Sequence, residues 1–315
     1  MKNKLIYFLV VALIITGFLN AVPAVAESTG KLVIYSSVPT VQLNMITDMF
    51  TTQYPGIVVD IFSAQTAEVM QQVSKAPQGD VVLGGGLSDF EAIEAGLSSY
   101  VSPNRQEIYQ GLQNDSNSFT PYQVHVSVMV VNVPMAKGLN ANVTSWESLT
   151  DDKLSGKIAY MDSAATSPDA QQSDFINSFA NALELGKPSA PSFVVNAVTA
   201  GQCAVGITNE EKAIERLKAG SDLKVIYADD GTAMGASYTG ILKDAPNEAN
   251  AKLFIDFMTS KAYQQAATDR LNQRSVRSDV NFNMKEIAAT EMLQPMNMTK
   301  ALNINELCGR LYSGI

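Results

Sequence analysis

The feature that most constrains the fold is the alternation of short β-rich runs with helical stretches. Three strand–helix pairs come first, at residues 31–35 and 41–53, 57–62 and 67–75, and 80–83 and 89–95. A second series has predicted strands at 157–161, 203–208 and 223–227, with predicted helices at 168–185 and 210–219. Such alternation is typical of α/β folds with mainly parallel sheets. The sequence therefore predicts two α/β units in one chain.

Two β-rich runs break this rhythm. Residues 124–133 are too long and too rich in valine for one strand of a βαβ unit, and residues 236–243 form a second such run. We interpret both as strands that cross between the two units. The predicted first lobe comprises residues 27–124 and 239–315, and the second lobe comprises residues 125–238.

The amino terminus has the three parts of a secretory signal peptide. Lys2 and Lys4 precede an apolar run at 5–18, and Ala24-Val25-Ala26 supplies the small-residue cleavage pattern. We predict that residues 1–26 are removed and that the mature protein begins at Glu27. Because no cysteine stands where a bacterial lipoprotein carries its lipid, we expect a protein that is free in the periplasm.

Charge and composition exclude several function classes. The chain has 31 acidic and 22 basic residues, a net charge of −9, which disfavours binding to nucleic acid or to anionic membranes. One histidine and no C-x-x-C pair argue against a zinc site of the His/Cys type. Cys203 lies in an apolar run that favours a buried thiol, and whether it pairs with Cys308 stays open.

The sequence lacks three motifs that are typical of common enzyme classes. There is no G-x-S-x-G, no P-loop and no H-E-x-x-H, and His125 stands alone in a predicted crossing strand, where a structural role is more common. We therefore expect no catalytic residues, no metal and no cofactor. A binding protein and a sensor domain remain as alternatives to an enzyme.

Several motifs carry a family resemblance. Residues 143–149 (VTSWESL) with 153–159 (KLSGKIA), and residues 243–260 (KDAPNEANAKLFIDFMTS), resemble signatures of family 1 extracellular solute-binding proteins. The segments 80–86 and 274–280 match the same family. The similar branch contains binders of ferric ion, phosphonates and sugar phosphates.

The resemblance implies a type II periplasmic binding protein fold, in which two α/β lobes joined by two crossing strands close on a ligand. Its implied partners are a small solute and the permease and ATPase of an ABC importer at the inner membrane. We expect a monomer. Ligand binding would select the closed form.

One predicted anion site lies before the helix at 168–185. Ser163, Thr166 and Ser167 occupy the loop that resembles the family's anion-binding segment, and Ser167-Pro168 has the pattern of a helix start. The amino terminus of a helix favours a phosphate, phosphonate or carboxylate. An ordinary capped loop would explain the same residues.

Further candidates follow predicted strands, where open α/β sheets place ligands. Ser36 and Ser37 come after the first strand, and Gln65 and Thr66 after the second. Tyr238 lies close to the return crossing and is the weakest candidate.

The segment after the strand at 203–208 discriminates between ligands. Ferric-ion binders of the similar branch place adjacent tyrosines there, because phenolate oxygens suit a hard trivalent cation. This chain has Asn209, Glu210 and Glu211 instead. We predict a small anionic solute, a phosphonate such as 2-aminoethylphosphonate or a phosphate ester. Glu210, or Glu211 as the alternative, would accept from an amine or hydroxyl, and Asn209 and Glu210 are the candidate site residues. Ferric ion is the alternative.

The signal peptide gives the first testable prediction. Amino-terminal sequencing of the protein from a periplasmic extract should begin at Glu27. An intact leader or a lipidated first residue would contradict both the cleavage site and the expected free state.

Overall fold

The computed structural model describes residues 28–75, 78–161 and 170–296, and the side chains of 170–173 are not part of that description. The predicted signal peptide, the predicted start at Glu27 and the cysteine Cys308 lie outside the described residues. So do three predicted site residues, Ser163, Thr166 and Ser167. No helix within the described ranges is both long and apolar enough to cross a membrane.

The first α/β unit is built from parallel strands and the helices that follow them. Its elements are β1 (Thr29–Ser36), α1 (Thr40–Gln53), β2 (Gly56–Ser63), α2 (Thr66–Ser74), β3 (Val81–Leu83), α3 (Leu87–Ile93) and the short β4 (Leu97–Ser98). Strand β1 pairs in parallel with β2 on one side and with β3 on the other. Buried Leu43, Ile46 and Phe50 recur at helical spacing along α1, which explains how that helix covers the sheet.

The chain then enters the second unit through a long strand. This unit contains β5 (Thr120–Val131), α4 (Val133–Gly138), β6 (Ile158–Tyr160), α5 (Ala170–Ala182), α6 (Pro191–Thr199), β7 (Val205–Asn209), α7 (Glu210–Lys218) and β8 (Lys224–Ile226). Strand β9 (Met234–Leu242) returns to the first unit, where α8 (Glu248–Met258) and α9 (Lys261–Leu271) follow.

Strand β5 belongs to both halves of one mixed sheet, whose order is β2-β1-β3-β9-β5-β7-β6. Its residues Thr120 to Val126 pair antiparallel with β9, and its residues Ser127 to Val131 pair antiparallel with β7. The last part, Met129 to Val131, also pairs with β8. The two predicted crossing strands are therefore β5 and β9.

The strand registers decide where the two halves face each other. Leu83 at the carboxyl end of β3 is opposite Thr239 of β9, and Asn209 at the carboxyl end of β7 is opposite Ser127 of β5. The carboxyl ends of both halves thus point toward the middle of the crossing strands. Open α/β sheets bind ligands at such ends, so we expect the ligand cleft over residues 123–127 and 234–238.

Each half has its own core. Phe50, Phe254 and Phe257 pack edge to face beneath β1 in the first half. In the second half, Trp146 packs against Phe175 and Phe179, as the family signature predicted, and its indole N–H donates to the carbonyl of Gly231 at 2.9 Å.

The segment after α9 contacts the second half as well as the first. Val276, Ile287 and Leu293 are buried in one cluster with Val195 and Ile214 of helices α6 and α7. The lobe boundaries at 124/125 and 238/239 stay predictions, and part of the segment assigned to the first lobe packs on the second.

The contact between α6 and β7 gives a stability prediction. A Cβ at Gly206 would lie 2.7 Å from Val194 Cγ1 and 2.9 Å from Val198 Cγ2, so Gly206→Ala forces the helix away from the strand. We expect the free energy of unfolding to fall by about 1–3 kcal/mol in urea denaturation. Gly186→Ala is the control, because a Cβ there meets nothing within 4 Å. Equal stability of the two variants would contradict this packing.

Candidate functional site

Two neighbouring helices begin at the cleft edge of the first half without a capping side chain. Helix α1 follows β1 with Pro39 at its N-cap, and α2 follows β2 with Gln65 at its N-cap; neither residue makes a side-chain cap bond. Strands β1 and β2 are paired so that Ser36 is opposite Ser63. The two helix starts are therefore side by side, with first-turn N–H groups that no side chain of the N-cap satisfies.

Ser36 and Ser37 lie at the first of these helix starts. Ser36 is fully buried, and its Oγ accepts a hydrogen bond from the N–H of Val38 at 3.1 Å. Ser37 is half-buried, and its N–H donates to the carbonyl of Leu83 at 3.0 Å. The hydrogen bond to Leu83 connects the segment of Ser36 and Ser37 to the end of β3.

Gln65 and Thr66 lie at the second helix start. Gln65 is exposed and Thr66, the first residue of α2, is half-buried. Both sequence-predicted pairs of the first half are thus placed at adjacent strand ends.

The glycine loop after β3 approaches Ser37 closely. Gly84 has φ +97°, and a Cβ there would lie 2.5 Å from Ser37 Oγ, so only glycine fits. The N–H of Gly84 donates to the carbonyl of Tyr238 at 2.9 Å, and the N–H of Gly86 donates to Asp89 Oδ2 at 2.9 Å. Two of the three glycine amides that could hold an anion are therefore already engaged.

The floor of the cleft is polar, although β5 is rich in valine. Gln123 and His125 alternate with buried Val124 and Val126, so they lie on the opposite face of the strand. A β-bulge between Pro121 and Gln123 sets this register. His125 Nε2 is 2.7 Å from Ser237 Oγ on the neighbouring strand.

Hydrogen bonds between side chains connect this floor to both halves. Gln42, in the first turn of α1, donates from Nε2 to Gln123 Oε1 at 3.0 Å and to Gln273 Oε1 at 3.1 Å. Gln123 in turn donates to Glu211 Oε1, in the first turn of α7, at 3.3 Å. The starts of α1 and α7 are thereby linked through one residue of β5.

Glu211 is the carboxylate at this floor. Its side chain is 18% exposed, and Oε1 lies 3.8 Å from Nδ1 of His125. Oε2 is buried without a hydrogen-bond partner. Burial raises the pKa of Glu211 to about 7 and lowers the pKa of His125 to about 4. Near neutral pH the two groups therefore do not form an ion pair.

Glu210 is held in a different environment. Arg274 donates from Nε to Glu210 Oε2 at 2.9 Å and from Nη2 to Oε1 at 2.5 Å, and the hydroxyl of Tyr227 also donates to Oε1. The side chains of Arg274 and Glu210 are 3% and 2% exposed. Both oxygens of Glu210 are thus engaged by a buried bidentate pair.

The other two predicted site residues have structural partners. Asn209 caps α7, since its side chain accepts from the N–H of Lys212 at 3.3 Å. Tyr238 is buried, and its ring centroid lies 5.1 Å from that of Phe119 and 5.8 Å from that of Phe90. The role of these residues and of Glu210 in binding a ligand stays a prediction.

Sequence reasoning missed Gln42, Gln123 and Arg274. It named Glu211 only as an alternative to Glu210, and it assigned His125 a structural role. One signal was available, because polar residues alternate with valines at 123, 125 and 127 in an otherwise apolar strand. That period of two marks a polar face within a buried strand.

Among residues 28–75, 78–161 and 170–296, no group of three or more His, Cys, Asp or Glu side chains lies together as metal ligands would.

Comparisons with known proteins agree with this geometry. The sequence model of the family described as bacterial extracellular solute-binding proteins matches residues 32–270. An uncharacterised protein of Haemophilus influenzae is 27% identical over 289 residues, which span 84% of this chain and 82% of that protein.

Two solved structures are similar over almost the whole chain. AfuA from Actinobacillus pleuropneumoniae, a periplasmic binding protein with fructose-6-phosphate bound, has a TM-score of 0.67 at 22% identity and covers 90% of this chain and 98% of its own. Iron-bound HitA from Pseudomonas aeruginosa has a TM-score of 0.67 at 15% identity, with 89% and 99% covered. The predicted fold, two α/β lobes of a type II periplasmic binding protein, is confirmed.

The buried pair of Arg274 and Glu210 gives a second stability prediction. Arg274→Met leaves the Glu210 carboxylate buried and unpaired, so we expect a loss of about 3–5 kcal/mol in the free energy of unfolding. The double variant Glu210→Gln/Arg274→Met should regain most of that loss, because no charge is left unpaired. Exposed Arg270, replaced by Met, is the control. An Arg274→Met protein as stable as this control would contradict the pairing.

Proposed function

Because this chain belongs to the bacterial extracellular solute-binding proteins, we propose that it captures a small anionic solute, a phosphonate or a phosphate ester, in the cleft between its lobes. The observation that supports this proposal is the pair of uncapped starts of α1 and α2 at adjacent strand ends. Family membership confirms the coarser part of the sequence prediction, the solute-binding component of an ABC importer.

The first-half residues supply donors suited to a tetrahedral oxyanion. First-turn N–H groups of α1 and α2 carry the partial positive charge of the helix dipole, and each helix is longer than two turns. The hydroxyls of Ser36, Ser37 and Thr66 and the amide of Gln65 add hydrogen-bond donors at the same edge. Bonds from such donors to a charged acceptor are about twice as strong as bonds between neutral groups.

The second half completes the proposed site only when the lobes close. Ser163, Thr166 and Ser167 belong to this proposal on the strength of the family resemblance, and Asn209 and Tyr238 on that of their sequence positions. Glu210, which the sequence also predicted, is engaged by Arg274 and Tyr227 and is not part of the proposal. Closure would bring the second-lobe donors to an anion already held at α1 and α2. The closed form would then be the one that the permease and ATPase recognise.

Ferric ion is the competing ligand. HitA is an iron-bound structure, but its 15% identity to this chain shows a common fold and no more. The positions where similar binders have adjacent tyrosines hold Glu210 and Glu211 here, and Arg274 neutralises the first of these. This donor set gives iron less support than a phosphonate or phosphate ester.

We further propose that the mature protein acts as a monomer in the periplasm and performs no chemistry on its ligand. The description of the matched family, extracellular solute-binding proteins, supports a role in transport. A turnover assay with each ligand of the panel below would test the second point, and a sedimentation measurement with and without ligand the first.

A ligand panel tests the proposed function. Thermal unfolding should shift upward with 2-aminoethylphosphonate, ethylphosphonate or a hexose phosphate, because a ligand that binds only the folded state stabilises it. Native mass spectrometry of gently purified protein should show the retained solute. Stabilisation by ferric ion alone would overturn the proposal.

A pair of variants locates the anion. Aspartate, like threonine, is favourable at a helix start, so Thr66→Asp should preserve α2. It places a carboxylate at the proposed site, and affinity for the anion should therefore fall by tenfold or more, about 1.4 kcal/mol. Ser88→Asp is the control, since Ser88 is an exposed residue in the first turn of α3, whose Gly86 amide is already bonded to Asp89. Equal affinity of the two variants would remove α2 from the site.

A further inference from the structure

We infer that Glu211, rather than its neighbour Glu210, binds a positively charged group of the ligand at the floor of the cleft, so that the ligand is a zwitterion with an ammonium as well as an anionic end. This inference rests on the proposed function and specifies the substrate class of the same site. It assigns a residue that the sequence named only as an alternative to Glu210.

The position of Glu211 comes from contacts with three elements. Its Oε1 accepts from Gln123 of β5, which in turn accepts from Gln42 in the first turn of α1. The same oxygen lies 3.8 Å from His125, which contacts Ser237 of β9. Glu211 therefore lies next to both crossing strands. Gln123 and Gln42 connect it by hydrogen bonds to the start of α1, the helix that follows Ser36 and Ser37.

The charges around Glu211 leave its carboxylate without a cation. From its own helix it faces Glu210, a like charge, and from the segment after α9 it faces Arg274, whose guanidinium is committed to Glu210. From β5 it faces Gln123 and His125, and burial keeps His125 neutral with a pKa of about 4. Oε2 is buried with no hydrogen-bond partner. Burying a carboxylate without a partner is costly, and a ligand ammonium would supply the missing partner.

Ligand discrimination follows from this arrangement. If Glu210 bound a ligand ammonium, Arg274 would lose its partner and would remain buried and unpaired, which is costly. Glu211 can do so by exchanging a proton for the ligand cation. An anion lacking the ammonium would leave Glu211 protonated or unpaired, so the cleft would prefer an anion that carries an amine.

The proton exchange has a definite direction with pH. Burial raises the pKa of Glu211 to about 7, so the carboxyl is mostly neutral below that value and mostly ionised above it. The amine of 2-aminoethylphosphonate is expected to stay protonated throughout, like a lysine with pKa of about 10. Affinity for the amine-bearing ligand should therefore rise with pH through about 7 and level off above it.

The test compares 2-aminoethylphosphonate with ethylphosphonate by titration calorimetry at about pH 5.5 and about pH 8.5. The ammonium lowers the second pKa of the phosphonate beside it, so each affinity is referred to the phosphonate dianion by means of that ligand's own pKa, measured by phosphorus NMR titration. We expect the ratio of the two affinities to be about tenfold or more larger at the higher pH in the natural protein. Glu211→Gln should abolish this pH dependence and the preference for the amine, while binding of ethylphosphonate persists.

Glu215→Gln is the matched control, an exposed glutamate on the same helix with a cation already beside it. A pH-independent ratio in the natural protein would overturn the inference even if Glu211→Gln failed to fold. So would a Glu211→Gln protein that keeps the preference, or a natural protein that prefers hexose phosphates. If neither phosphonate binds and no other anion of the panel does, the proposed function fails, and the inference fails with it.

Discussion

The structure depends on strand β5, which pairs with strands of both lobes in the one mixed sheet. The first seven residues of β5 pair with β9 and the last five with β7, so a shift of its register would move side chains in both lobes together. The valines at 124, 126, 128 and 130 are buried against the segment after α9 and against α6 and α7. This burial fixes which face carries Gln123 and His125, and the position of the cleft floor follows from it.

The charges near that floor are divided between a structural and a functional role. Glu210 and Arg274 form a buried pair that ties the start of α7 to the segment after α9, and Val124 pairs with Arg274 through its backbone as well. Since that segment packs on the second lobe, the ion pair contributes to holding the crossing region rigid. Glu211, one residue further along α7, has no cation of its own, because Arg274 is committed to Glu210. Adjacent glutamates of identical intrinsic chemistry thus differ because one of them has an arginine 64 residues away.

The sequence predicted most of the fold. The bounds of α1 and α7 each differ from the prediction by one residue at one end, because an apolar stripe at helical spacing and a capping Asn209 are local signals. Helices α6 and α9 were not predicted. Helix α6 contains three valines and a threonine, residues that favour strands, and α9 is mostly polar; contacts of buried Val194, Val198 and Tyr263 with the rest of the chain override these preferences.

The site was less predictable for a physical reason. Residues at strand ends, such as Ser36 and Thr66, follow from the alternation of strands and helices. Which of two consecutive glutamates lies at the cleft floor follows from a rotation of about 100° around a helix axis and from partners remote in sequence. No local pattern encodes either of these.

Three hydrogen-bonded buried glutamines have a consequence for how this protein can change over evolutionary time. Gln42, Gln123 and Gln273 come from α1, β5 and the segment after α9, and each amide must present a donor or an acceptor that its neighbour lacks. Replacing Gln42 by an apolar residue leaves the buried amide oxygens of Gln123 and Gln273 without this donor, whereas replacing all three together removes those acceptors as well. These positions should therefore vary jointly among descendants of a common ancestor, and a lineage that alters its ligand would pass through coordinated substitutions at sites widely separated along the chain.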